Sequence, residues 1–140
     1  RAIHIVQESI NCQKFQNICN NQDINDKQKW EYIFELIIQS EKSMKENLEA
    51  ESLECSKLQS LMTQLGCKCT KVIGEGWGGS VLGIVEKEKG DKIVEFIMNE
   101  YYCAKENKHL MIADDLNFYV FKTLASSGSC ILNPEYEIWF

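Results

Sequence analysis

The chain has 140 residues, 44% hydrophobic and 26% charged, with a formal net charge of −6; such a chain makes about one globular domain and buries roughly two thirds of its unfolded surface. A single proline and no low-complexity tract exclude a disordered linker, and no apolar run approaches the ~20 residues that span a bilayer, so no membrane partner is expected. The acidic balance, with its lysines scattered, speaks against a nucleic-acid partner.

Arg1-Ala2-Ile3-His4-Ile5 reads as the inside of a helix, so the chain is expected to be a piece of a longer protein. Apolar groups at Ile3, Val6 and Ile10, then Phe15, Ile18 and Cys19, carry that helix to about residue 19 with a one-residue phase slip. Asn20-Asn21-Gln22-Asp23 is a break of turn-forming residues. Asn25 can cap a second helix, with Gln28 completing a capping box. Its expected inner stripe is Trp30, Ile33, Phe34, Ile37, Ile38, Met44 and Leu48, opposite Lys29, Glu35, Gln39, Lys42 and Glu46. A third helix is expected from about Ser52 to Leu65, with Leu58, Leu61, Met62 and Leu65 inward, and Gly66 suits its left-handed C′ position.

The period then changes. Cys67 to Ile73 and Val81 to Val85 read as strands, the second central and covered on both faces. Glu86 to Gly90 reads as a charged turn, with Asp91 capping a fourth helix that buries Ile93, Ile97, Met98 and Tyr101. Residues 104–116 read as polar loop, and Phe118-Tyr119-Val120-Phe121 and Cys130-Ile131-Leu132 as two further strands. The expected architecture is α+β: N-terminal helices, then a ferredoxin-like sandwich of about four antiparallel strands with helices on one face, in a single domain over 1–140.

Seven cysteines, at 12, 19, 55, 67, 69, 103 and 130, are an odd count, and Cys67-Lys68-Cys69 is not a zinc-type pair. His4 and His109 are far apart in sequence, so no metal site is expected. Free thiols in a reducing cytosol are the simple reading, with His4 structural and His109 solvated.

Gly74-Glu75-Gly76-Trp77-Gly78-Gly79-Ser80 holds half of the chain's eight glycines, between two strands. Gly74, Gly76 and Gly79 satisfy a dinucleotide-binding pattern, but that pattern must open a helix, and a strand-like run follows here. The protein-kinase glycine loop is matched through Val81, yet no V-A-I-K, H-R-D or D-F-G follows and the remaining chain is too short for that fold.

The longer stretch Cys69-Thr70-Lys71-Val72-Ile73-Gly74-Glu75-Gly76-Trp77-Gly78-Gly79-Ser80-Val81 resembles the third conserved motif of the GHMP small-molecule kinases, in the form found in galactokinases and N-acetylgalactosamine kinases. Arg1-Ala2-Ile3-His4-Ile5-Val6-Gln7-Glu8 is similar to that family's R-A-x-H-V-x-x-E helix, and Glu35-Leu36-Ile37-Ile38-Gln39-Ser40 to its E-L-M-N-x-S. Leu58 to Gly66, Tyr101-Tyr102, Phe121-Lys122 and Gly128 to Leu132 also fit its order, so the resemblance covers essentially the whole chain as a C-terminal domain.

The resemblance implies ATP- and Mg2+-dependent phosphoryl transfer to the anomeric hydroxyl of galactose or a related sugar, in a cytoplasmic protein. It implies an active site shared with an N-terminal kinase domain that carries the catalytic residues and is absent from this chain. It makes Gly74, Glu75, Gly76, Trp77, Gly78, Gly79 and Ser80 the phosphate-loop residues, with Trp77 holding the turn against its support and Lys71 a candidate phosphate neighbour or a solvated strand lysine. With its partner domain missing, the segment is expected to be inactive, to expose an apolar patch beside the loop, and to self-associate.

Three places depart from the family pattern: Glu75 replaces a small residue, Thr123 follows Lys122 where a proline is usual, and around Glu49 to Cys55 the family's proline and cysteines are missing from their places. The alternative is a non-catalytic sugar-sensing or protein-interaction module that has kept the fold. In either case the glycines could serve only as a tight corner under a neighbouring loop.

Overall fold

The computed structural model describes residues 1–74, 76–104, 107 and 116–124. It divides into two compact units, Arg1–Ile93 and Val94–Phe140.

In the first unit, helix α1 spans Ala2–Asn20. It buries polar residues, His4 and Asn11, and leaves Ile3, Ile5, Val6, Ile10 and Phe15 exposed. Helix α2, Asp26–Ser43, starts as the capping box requires: Asn25 Oδ1 accepts from the Gln28 N–H at 3.0 Å, and the Asn25 N–H donates to Gln28 Oε1 at 3.1 Å. Its inner face is rotated from the expected stripe. Ile33, Leu36, Ser40, Glu41 and Ser43 are buried, whereas Trp30 and Ile38 are about half exposed. Polar side chains on this face have partners inside the fold, and that outweighs the apolar count of the stripe.

A π-helical turn, Met44–Leu48, ends at Glu49, whose left-handed backbone (φ 59°) reverses the chain. Helix α3, Leu53–Gln64, is capped by Ser52 Oγ, which accepts from the Cys55 N–H at 3.1 Å. Gly66 (φ +102°) closes it in a Schellman arrangement: the Gly66 N–H donates to Thr63 O and the Cys67 N–H to Met62 O, each at 3.0 Å. Leu58, Leu61, Met62 and Leu65 are only half-buried, and Cys55 and Gln59 hold the buried positions.

Strands β1 (Cys69–Ile73) and β2 (Ser80–Ile84) pair antiparallel, Ile73 opposite Ser80 and Cys69 opposite Ile84. Among the described residues the sheet has these two strands, so the expected four-stranded ferredoxin-like sandwich is not formed there. One reason lies on the outer edge of β1. The Val72 N–H donates to Glu41 Oε2 at 2.9 Å, so a buried carboxylate takes the position a third strand would use. β2 is not covered on both faces either, since Leu82 is exposed.

Helix α4, Lys87–Phe96, begins four residues before the expected Asp91 cap. Gly90 and Ile93 are both buried on its inner side, so the helical spacing already includes the turn read as a loop. Met44, Ala50, Cys55 and Val72, with Leu48 and Val81 against them, form the core directly beneath the glycine stretch.

The division between the units falls within α4. In the second unit, a π-helical stretch Ile97–Tyr102 buries Ile97 and Tyr101, as the sequence pattern predicts. The expected strand Phe118–Phe121 does not form: Leu116–Phe118 is a 3-10 turn, and residues 120–124 carry no regular structure. Aromatic residues favour strands only where a ladder and a covered face exist. Here the Tyr119 ring instead packs on Tyr102 and Phe118, and Phe118 is largely exposed. The expected strand Cys130–Leu132, with Cys130 itself, His109 and most of the loop 104–116, lies outside the described residues.

Candidate functional site

The residues singled out by sequence meet in a turn that joins β1 to β2. Its backbone is left-handed at Gly74, Gly76, Trp77, Gly78 and Gly79, with φ of 99°, 85°, 53°, 143° and 95°. Glu75 lies outside the described residues. Gly76 is buried, and a Cβ built there would stand 2.7 Å from the Ala50 Cβ. The turn therefore seats by pressing bare backbone onto Ala50, itself 1% exposed. Beside it, the Trp77 N–H donates to Ala50 O at 3.2 Å. At Gly74 and Gly78, by contrast, a Cβ would meet nothing within 4 Å, so the backbone there is open to approach. Ser80, exposed, starts β2.

Trp77 does not anchor the turn through its ring, as expected from sequence. The indole is 55% exposed, with the Arg1 guanidinium carbon 5.9 Å from its centroid. Support comes from the backbone, through the Trp77 N–H on Ala50 O and the close approach of Gly76 to Ala50. The cation–π contact also places the start of α1, with its exposed Ile3, Ile5 and Val6, beside the turn.

Lys71 is neither solvated nor pointed at the turn. Its Nζ donates to Glu8 Oε2 at 3.0 Å and to Ser40 Oγ, with only 20% of the side chain exposed. Burial pushes the Glu8 carboxyl up, but hydrogen bonds from Ser40 and Lys71 and the charges of Lys71 and His4 outweigh it and hold it below its ordinary value. His4, buried, is hydrogen-bonded through Nδ1 to Ser43 Oγ at 3.1 Å. Segments 1–8, 35–40 and 69–81 thus meet in the contacts of Lys71 with Glu8 and Ser40.

Sequence reasoning missed Glu41 and Ala50. Glu41 is 8% exposed; besides the Val72 N–H it accepts from Gln59 Nε2 at 2.7 Å and pairs with Lys45 at 3.5 Å. The signal was present: Glu41 follows Ile37 by four and precedes Met44 by three, a carboxylate on the apolar stripe of its own helix. Ala50 carried no such signal, since its role rests on a contact with Gly76 across the fold.

Cys67 and Cys69 are both buried and free. Burial raises both thiols; with the added effect of Cys67, Cys69 reaches about 11. Both are inert thiols at neutral pH. Among the described residues, no helix is long and apolar enough to cross a membrane.

Comparison with known proteins adds one consistent result. The chain is similar to galactokinases. It is 25% identical over 143 residues to a galactokinase from Candida albicans, an alignment covering 97% of this chain and 27% of that protein. It is 25% identical over 146 residues to one from Dictyostelium discoideum, covering 95% and 29%, and 25% identical over 134 residues to one from Schizosaccharomyces pombe, covering 94% and 25%. The chain thus spans under a third of the length of these galactokinases. No family model matches, and no solved structure gives a significant match.

Proposed function

We propose that this chain is the C-terminal domain of a cytoplasmic galactokinase-like kinase of the GHMP type, which transfers a phosphoryl group from ATP to the anomeric hydroxyl of galactose or a related sugar. In this reading Gly74 to Ser80 complete the phosphate side of an active site shared with the N-terminal kinase domain of the same protein. The observation that carries it is the similarity to galactokinases along 94–97% of the chain.

The turn suits that role. Phosphoryl transfer depends mainly on positioning and on stabilising charge at the phosphate oxygens. Open backbone at Gly74 and Gly78 lets an oxygen come close without meeting a side chain. Arg1, over Trp77, adds positive charge beside the turn. ATP with Mg2+ is the cofactor pair of the intact protein. The exposed Ile3, Ile5, Val6 and Ile10 of α1 offer the N-terminal domain an apolar surface to cover, and left uncovered they favour self-association.

The test is an ADP-release assay on the intact parent protein with galactose, ATP and magnesium. Sugar-dependent release is expected from it and none from the 140-residue segment. Absence of sugar-dependent release by the intact protein overturns the kinase reading, and turnover by the segment alone overturns the shared site.

A further inference from the structure

Among the described residues the turn is seated on Ala50 at Gly76 and Trp77, and it is entered directly from β1, so what holds that strand bears on its placement. β1 is held laterally at two consecutive residues. Lys71 bonds Glu8 of α1 and Ser40 of α2, while the Val72 N–H bonds Glu41 of α2. Gly74 follows two residues later, and the Ile73–Ser80 pair closes the turn. Helices α1 and α2 are therefore tied through one lysine to the base of the turn. Glu8 and Lys71 neutralise each other there, with 31% and 20% of their side chains exposed. Removing either partner leaves the other a largely enclosed charge, which drives β1 to shift towards solvent.

We propose that Glu8 and Lys71, with Ser40, form a clasp that positions the glycine turn: Lys71 is a positioning residue, not a phosphate ligand. The inference rests on the phosphate-loop reading for its kinetic consequence, but not for its structural one. Atoms that merely neutralise phosphate and atoms that hold the turn respond differently to loss of Glu8. A phosphate-binding lysine released by Glu8→Gln would tighten ATP binding. A positioning lysine deprived of its partner loosens the turn and weakens it, as Lys71→Met does.

Two measurements test this. In the 140-residue chain, amide hydrogen exchange at Trp77, whose N–H is held by Ala50 O, is expected to accelerate at least about tenfold in Glu8→Gln and in Lys71→Met, with the amides of α3 unchanged. The Glu8→Lys/Lys71→Glu double variant should return the turn to the wild-type rate. In the intact protein, both single variants should raise KM for ATP while KM for galactose stays constant, and the double variant should restore it. Equal acceleration along the whole chain, no acceleration at the turn, or tighter ATP binding in Glu8→Gln overturns the clasp. If the intact wild-type protein has no kinase activity, the functional reading fails while the exchange measurement still decides the clasp.

Discussion

Replacing Gly76 with alanine should destabilise the first unit more than the same change at Gly74, although both have left-handed backbones. At Gly74 (φ +99°) the new methyl meets nothing within 4 Å, so the cost is backbone strain alone, roughly 1–2 kcal/mol for an L-residue. At Gly76 (φ +85°) the methyl also lies 2.7 Å from the Ala50 Cβ, beneath which Met44, Cys55 and Val72 are packed. Forcing a methyl into such a site adds typically about 1–3 kcal/mol, for a total of about 2–5 kcal/mol. Against a domain stability of about 5–15 kcal/mol that is a large share. Urea unfolding of the wild type, both variants and the Gly76→Ala/Ala50→Gly pair separates the terms. The pair should recover the contact part and leave the strain. Gly76→Ala as stable as Gly74→Ala would refute the seating of the turn on Ala50.

Glu41→Ala should cost about 1–3 kcal/mol in the same experiment, because the buried Val72 N–H and Gln59 amide lose their acceptor; an unchanged midpoint would remove Glu41 as the cap of β1. The folded-state shift of Glu8 is downward, so its contribution is present above the ordinary carboxylate value near 4.5 and is lost as pH falls through the lower folded value. Unfolding midpoints measured below pH 5 should therefore fall in the wild type by more than in Glu8→Gln, and parallel curves would contradict the ion pair. Mass-mapped alkylation at pH 8 should label Cys12, Cys19 and Cys103 rapidly and spare Cys55, Cys67 and Cys69 until the chain unfolds; early labelling of Cys69 would contradict its burial. On the proposed phosphate-loop reading, Glu75→Ala in the intact protein should strengthen ATP binding up to about a hundredfold, since a carboxylate that came within ~5 Å of phosphate charge at an effective dielectric of ~20 would cost about 3 kcal/mol; calorimetry showing equal or weaker binding would refute the repulsion.

Much of the first unit is legible locally. The Asn25–Gln28 capping box, Ser52 ahead of α3, Gly66 behind it and the two strands around the glycines were all readable, because each depends on residues three or four apart or on one backbone requirement. The start of α4 and the run Phe118–Phe121 were misread for a common reason. Asp91 and the aromatic residues have the right local preference, but the helix begins where its buried face begins, and a strand exists only where a partner offers an edge.

The sequence by itself determined that a glycine turn between two strands is the chemically permissive point of this chain, and its motifs pointed to a sugar kinase. Only the tertiary structure decided how that turn is held. Ala50 presses against Gly76, Glu41 caps the free edge of β1, and Lys71 is taken up by Glu8 and Ser40, contacts that span 26, 31, 63 and 31 residues of chain. Periodicity marks Glu41 as lying on the apolar stripe of α2, but it does not record which residue each group meets, and Lys71 looks solvated until the fold brings it a buried partner. Trp77 stays outside the seat on Ala50, which is made by a missing side chain at Gly76 and not by the largest one present.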